Sequence, residues 1–327
     1  MSSGAARAQA GALAAGVTAR YLGGMADQTF PCVSLIIPTY GREEPLVACL
    51  RCALNQSYRP LEILVIDQTG EHDPETVRFL QGAADRVRVI RHAPPSAVTA
   101  RNCGLHEARG EILIFIDDDT TFGSGFAAAH VAAHRRGAEV VQGRVVEPGR
   151  GVAHRPQWVR PWLRFVGSNT HDRAGVTNTL TGCNFSLSRR AADRVGEFDP
   201  LFCGALVRED ADYGARCRRA GLRMVFDADA CLTHHRAAGG VDRGVTGRER
   251  EFDLSLLRNE LYFARKHFAP PAVWLYKLRM ARRLRRIARR SGGVPPHPIR
   301  KLIRQADGQA RLMVREGELP ELSDAPR

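Results

Sequence analysis

The run Ile112-Leu113-Ile114-Phe115-Ile116 passes straight into Asp117-Asp118-Asp119, and that junction restricts what the chain can fold into. Continuous apolar residues with β-branched members read as a buried parallel strand, and three carboxylates cannot follow such a strand into a core. They must lie at its carboxyl edge, where open α/β sheets bind their ligands. Asp117 and Asp119, on alternate residues, can hold a hard divalent cation through oxygen ligands, and substrate phosphates commonly complete such a site. The expected chemistry is that of a phosphate leaving group. Taken alone, a solvated acidic turn after a strand has the same pattern, so the rest of the chain must decide.

Strand-like and helix-like segments alternate from Val33 onward. Val33-Ser34-Leu35-Ile36-Ile37 ends at Pro38-Thr39-Tyr40-Gly41-Arg42, and a helical stretch follows from about Glu44 to Asn55. Leu61–Ile66 ends in Asp67, Val87–Ile90 reads as a third strand, and a helix around Ala97–Arg109 leads into the acidic strand. This order predicts a mostly parallel α/β sheet with helices on both faces, two of its strands ending in an acid at the same edge. Further on, Phe126–Arg136 reads as a short helix and Val140–Val145 as a strand. From Glu147 to about Asn178 the pattern dissolves into Pro, Gly, Arg and Trp, a length typical of functional lids or of disordered segments. Order returns with a strand at Cys183–Leu187, a helix at Arg189–Val195 and another at Asp210–Ala220, which stops at Gly221, a natural residue just past a helix end.

At 327 residues and 44% hydrophobic content the chain can build one large α/β core with an appendage, or two domains. Its eight cysteines (Cys32, Cys49, Cys52, Cys103, Cys183, Cys203, Cys217, Cys231) lie in apolar stretches. The close pair Cys49 and Cys52 has no accompanying His/Cys cluster, which argues against zinc and for reduced core thiols in a cytoplasmic protein. No apolar run approaches the roughly 18 residues of a membrane span. The Ala/Gly-rich start, through about residue 30, reads as a flexible leader rather than a signal peptide. Nearly all of the net charge of +13 falls between Arg258 and Lys301, where 13 Lys/Arg face one acid, Glu260. The excess belongs to a basic helical extension over 256–327, leaving a nearly neutral body over 31–255.

The string Val33 to Arg42, Asp67, Ala100-Arg101-Asn102-x-Gly104, Asp117–Asp119, Gly182-Cys183-Asn184, Phe198-Asp199, Glu209-Asp210 and His234 resembles, in order and rough spacing, the family-2 glycosyltransferases. The resemblance covers about residues 31 to 240 and implies the Rossmann-like GT-A fold, with a donor half over about 31–145 and an acceptor half over about 146–255. It also implies metal-dependent, inverting transfer of a single hexosyl or deoxyhexosyl unit from a nucleotide-diphosphate sugar to an acceptor hydroxyl. Donor binding is implied for Pro38, Thr39, Tyr40, Arg42, Asp67, Arg101, Asp117 and Asp118. A divalent cation, Mg2+ or Mn2+, is implied on Asp117, Asp119 and His234, with His235 as the alternative histidine. The general base matches Asp210, with Glu209 as helper, although acids at a helix start also serve simply as caps and dipole complements.

Two departures bear on specificity. Where the family usually has a second acid after Asp67, Gln68 stands, followed by Thr69-Gly70, which leaves the base and ribose contacts open. The Gln-x-x-Arg-Trp motif of processive synthases has one near match, Gln157-Trp158-Val159-Arg160-Pro161, with Pro in place of Trp. Single addition is therefore expected over polymerisation. A nucleotidyltransferase on a related fold would need a Gly-rich, Lys/Arg-bearing loop after the first strand, and Pro38–Glu44 lacks one. In the extension, Trp274, Leu278, Ala281, Leu284 and Ala288 form one helical stripe with arginines around it. A basic amphipathic helix over 272–290 suits an anionic membrane surface, hence a peripheral position on the inner face of the cell membrane and a lipid-linked acceptor, or else a helix docked on the body. Nucleic acid is disfavoured, because no aromatic residues interleave with the charge.

Overall fold

The computed structural model describes residues 30–160, 162–204, 207–240, 249–290 and 298–318. The leader expected over 1–30 thus lies, but for Phe30, outside the described residues. The alternation becomes β1 (Val33–Thr39), α1 (Glu44–Leu54), β2 (Leu61–Asp67), α2 (Pro74–Gly82), β3 (Val87–Arg91), α3 (Ala97–Glu107) and β4 (Ile112–Ile116). The start of α2 follows local rules: Pro74 opens the helix and Asp73 caps it, accepting from the Thr76 N–H at 2.6 Å.

β1 pairs in parallel with β2 along its whole length, but with β4 only from Val33 to Ile36. Pro38 falls where β4 no longer pairs, so a residue with no N–H is tolerated in a central strand. The parting of β1 and β4 opens a crevice at their carboxyl ends.

Next come β5 (Thr120–Phe122), α4 (Phe126–Arg135), β6 (Val140–Val146), the hairpin β7 (Trp158–Arg160) and β8 (Arg164–Val166), and β9 (Gly175–Val176). They are followed by β10 (Asn184–Ser188), α5 (Arg189–Val195), α6 (Glu209–Arg219) and β11 (Met224–His234). The main sheet runs β3-β2-β1-β4-β10-β6-β11-β5, with β9 also on β11. β1 to β4 are parallel, as are β6 and β11, whereas β10 runs antiparallel to both its neighbours and β5 and β9 run antiparallel to β11. The segment expected to be irregular therefore holds β7, β8 and β9, strands of three, three and two residues that are too short to impose a period. β11 starts well before the apolar run ahead of His234, because a register shift between Asp227 and Cys231 interrupts its pattern.

Alternation along the strands divides the core. Ile36, Leu64 and Phe115 join one apolar cluster, while Leu35, Ile37, Val65 and Ile114 join another beneath α1 and α4. The first cluster continues without a break into α7 (Leu254–His267), α8 (Pro270–Arg290) and α9 (Ile299–Glu318), through Leu257, Leu261, Tyr276, Leu284, Ile303 and Ala306. α8 is packed on the body, and its buried face is Ala272, Val273, Tyr276, Met280 and Leu284. That differs from the expected stripe: Trp274 and Leu278 face outward, 61% and 36% exposed. The first half of α8 is apolar on most sides, so periodicity alone leaves the packed face open.

Candidate active site

The crevice between β1 and β4 widens into a cavity of about 850 Å³, lined by Pro38, Thr39, Tyr40, Arg42, Arg101, Asp117, Asp118, Asp119, Glu209, Asp210 and His234 among others. Eleven of the expected site residues thus meet in one place.

At the end of β4 the chain turns, and the three acids separate. Asp118 is buried and turned toward β1, where it accepts from Thr39 Oγ1 at 2.6 Å and pairs with Arg42. Burial pushes its pKa up to about 6, with Arg42 and Thr39 pulling the other way. Asp119 accepts from the Ala237 N–H at 2.9 Å through Oδ2, while its buried Oδ1 faces His234 Nε2 and Arg42 Nη1, each at 3.2 Å. Burial opposes ionisation, yet His234 and Arg42 hold this carboxyl below its ordinary range. Asp117 is partly exposed, its Oδ2 3.9 Å from the same histidine nitrogen. Asp117, Asp119 and His234 each offer a ligand atom within 4.8 Å of the others. His235, on the next residue of the chain, faces away toward Thr121 Oγ1 at 2.7 Å. The geometry therefore selects His234 for the acidic cluster.

Across the cavity, α6 begins with Glu209 and Asp210. Arg208 precedes them in a left-handed conformation, φ 75°, and supplies no capping side chain, so the acids open the helix uncapped. Asp210 accepts from the Gly182 N–H at 3.0 Å and from the Ala211 N–H at 2.6 Å. Burial raises the pKa of both acids, and repulsion from Asp210 raises that of Glu209 further. Arg101, 5% exposed, stands between the two acid groups, 3.3 Å from Glu209 Oε1 and 3.5 Å from Asp117 Oδ1. Gly182 makes room for it: a Cβ there would lie 2.6 Å from Arg101 Nη2. Asn102 and Gly104 pack, as expected for the same helix. Asn102 bonds both ways to the Phe198 backbone at 2.8 Å, and a Cβ on Gly104 would meet Ile36 at 2.4 Å.

Asp67 is the expected site residue that the cavity does not include. Its buried carboxylate accepts from the Thr69 N–H at 2.9 Å through Oδ1, while Oδ2 faces His72 Nε2 at 3.1 Å and Arg91. Its neighbour Gln68 lines the cavity instead. Sequence reasoning also passed over Glu147 and residues 236–240, which close the mouth: Arg236 pairs with Glu147, and Arg42 donates to the carbonyls of Ala237 and Gly239 at 3.1 and 3.3 Å. No local signal marks Glu147 and Arg236, which are 89 residues apart.

The sequence profile described as Glycosyl transferase family 2 matches residues 34–196. Glycosyltransferase AglE of Haloferax volcanii is 32% identical over 222 residues, 63% of this chain and 67% of the relative. The chain belongs to glycosyltransferase family 2. A second relative of this glycosyltransferase, the GalNAc(5)-diNAcBac-PP-undecaprenol beta-1,3-glucosyltransferase of Campylobacter jejuni, is 33% identical over 98 residues, 29% of this chain and 32% of the relative. Among solved structures, GalNAc-T7 with UDP, GalNAc and Mn2+ matches with a TM-score of 0.62 at 14% identity, over 89% of this chain and 57% of that one. The mannosyltransferase PcManGT of Pyrobaculum calidifontis, with GDP-Man and Mn2+, matches with a TM-score of 0.54 at 17% identity, over 94% and 97% of the two chains. At these identities the likeness is one of fold, and the fold is GT-A. No described helix of the glycosyltransferase is long and apolar enough to cross a membrane.

Proposed function

We propose that this glycosyltransferase moves a single sugar, with inversion at the reacting carbon, from a nucleotide-diphosphate sugar to an acceptor hydroxyl. The observation that carries this reading is one cavity walled by two acid groups of opposite character, with Arg101 between them. Asp117, Asp119 and His234 would hold a divalent cation, Mg2+ or Mn2+. The fit rests on the donor set: two carboxylates and one imidazole whose ligand atoms lie within 4.8 Å of one another suit such ions. When bound, the ion offsets the charge of the departing diphosphate.

The chain's own residues do the rest. Pro38, Thr39, Tyr40 and Gln68 form the wall at the ends of β1 and β2, where the nucleoside would lie. Asp67 acts at one remove: it fixes Thr69, whose Oγ1 accepts from the Gly41 N–H at 2.8 Å and so shapes that wall. Asp118, held by Thr39 and Arg42, fixes the turn that presents Asp117 and Asp119. At the other wall, the acceptor oxygen attacks the sugar carbon, its proton passes to Asp210, and the carbon–oxygen bond to the diphosphate breaks with its electron pair. Asp210 uses one lone pair of each oxygen in its backbone bonds, which leaves others for the proton. A lipid-linked acceptor is the version of this reading that the name of the Campylobacter jejuni relative supports.

The test is a panel of UDP-, dTDP- and GDP-sugars with Mn2+ or Mg2+, followed by the nucleotide released. Nucleoside diphosphate should appear with at least one donor and stop when the ion is chelated. Pyrophosphate release, or turnover indifferent to chelation, would overturn the reading.

A further inference from the structure

Outside the cavity, one face carries features that the reaction does not use. Trp162 and Leu163, between β7 and β8, both adopt left-handed backbone, φ 66° and 59°, which is costly for bulky residues. Arg279 of α8 enforces the turn by donating to both carbonyls, the Leu163 contact at 3.2 Å. The turn buries Leu163 and leaves Trp162 54% exposed beside α8. α8 itself presents Trp274 and Leu278 outward, and Arg282, Arg285, Arg286 and Arg289 continue the same exposed face at helical spacing. Two of the chain's three tryptophans are therefore held in solvent, Trp274 on α8 and Trp162 in the hairpin turn that Arg279 of the same helix holds.

Three other cations of α8 have partners: Lys277 pairs with Asp307 at 3.0 Å, Arg283 with Glu260 at 2.9 Å, and Arg279 holds the hairpin. Among the described residues, no acid pairs with Arg282, Arg285, Arg286, Arg289 or Arg290. Indoles suit the headgroup level of a bilayer, and a row of guanidinium groups complements anionic lipid phosphates. We propose that the face formed by Trp162, Trp274, Leu278 and the α8 arginines docks on an anionic lipid bilayer. Single-stranded nucleic acid fits less well, because the indoles lie at one end of the basic stripe and are not interleaved with it as stacking platforms. The hairpin also reaches the acceptor wall: Phe165 of β8 lies under the Arg208 guanidinium at 3.9 Å, and Arg208 immediately precedes Glu209. On the function proposed above, docking would bring that wall toward a membrane-held acceptor.

The test is co-sedimentation of the full chain with phosphatidylcholine vesicles, with and without phosphatidylglycerol, at low and high salt. Wild type should bind only the anionic vesicles, and added salt should weaken binding. Replacing Arg282, Arg285, Arg286 and Arg289 with Ala should weaken it at least about 10-fold, since each cation near such a surface contributes on the order of a several-fold factor. Trp162→Ala with Trp274→Ala should weaken it several-fold and abolish the blue shift of tryptophan emission on binding. All these residues lie on the outer face, so donor turnover without vesicles should be unchanged and reports separately on the catalytic reading. The proposal is overturned if wild type ignores anionic vesicles, if both variants bind like wild type, or if an RNA oligomer competes the protein off vesicles while the tryptophan variant still binds them fully.

Discussion

The carboxyl end of β4 and the amino end of α6 bring acids to the same cavity, yet their surroundings give them opposite properties. At β4, Asp119 is buried but faces His234 and Arg42, and these neighbours hold its carboxyl below its ordinary range. At α6, Glu209 and Asp210 sit at a helix start, where the dipole favours a negative charge by about 0.3–1 kcal/mol. Burial outweighs that for both acids, with repulsion from Asp210 added at Glu209, and both are pushed up. On the proposed function, one wall would hold positive charge and the other would take a proton. Arg101 touches both and keeps them distinct. Acidic residues lining a cavity therefore have no common role; the cations and amides around each decide what it does.

The largest expected break in this comparison comes from Asp210→Asn, which keeps the shape and removes the proton acceptor. Transfer should fall by about 10²–10⁴-fold, the usual contribution of a general base, while donor affinity stays within a few-fold. Transfer near the wild-type rate would remove Asp210 from the role. Arg101→Met should blur the two walls by leaving Glu209 and Asp117 without their shared cation. Removing one partner of a buried pair costs about 3–5 kcal/mol, and the exposure of Asp117 puts this case at the low end. Its sign with pH follows from Glu209: with a pKa raised further in the folded variant, the acid is neutral at low pH and penalised as pH rises. Urea unfolding should show the loss at about pH 8 and much less at about pH 5; a loss independent of pH would mean that Arg101 acts through packing alone.

Much of this arrangement was legible in the sequence. Apolar runs marked β1, β2 and β4, because a buried parallel strand has few other readings, and the acids that end two of them marked the edge at which they terminate. The cavity residues Pro38, Thr39, Tyr40, Arg42, Asp117–Asp119, Glu209-Asp210 and His234 converged because β1 and β4 are neighbours, β5, which follows Asp119, pairs with β11 opposite His234, and α6 opens onto the same cavity. What stayed hidden depends on contacts distant in sequence. Asp67 looks like a free acid at a strand end until His72 and Arg91 fold over it. The histidine choice needed the direction in which β11 presents His234. The packed face of α8 was likewise set by its neighbours, since Tyr276 lies against Arg208 and Glu260 in a way that no helical period encodes.

The central claim is that holding the cation and taking the proton fall to different acids, and a Mn2+ titration of three proteins tests it directly. Binding to wild type, Asp119→Asn and Asp210→Asn can be followed by the loss of the free-ion paramagnetic signal, with nucleoside diphosphate present. The account predicts that Asp119→Asn binds Mn2+ at least about 10-fold more weakly, as expected for losing a charged ligand, and that Asp210→Asn binds it like wild type while transferring sugar about 10²–10⁴-fold more slowly. Equal loss of the ion in both variants, or none in Asp119→Asn, would contradict it.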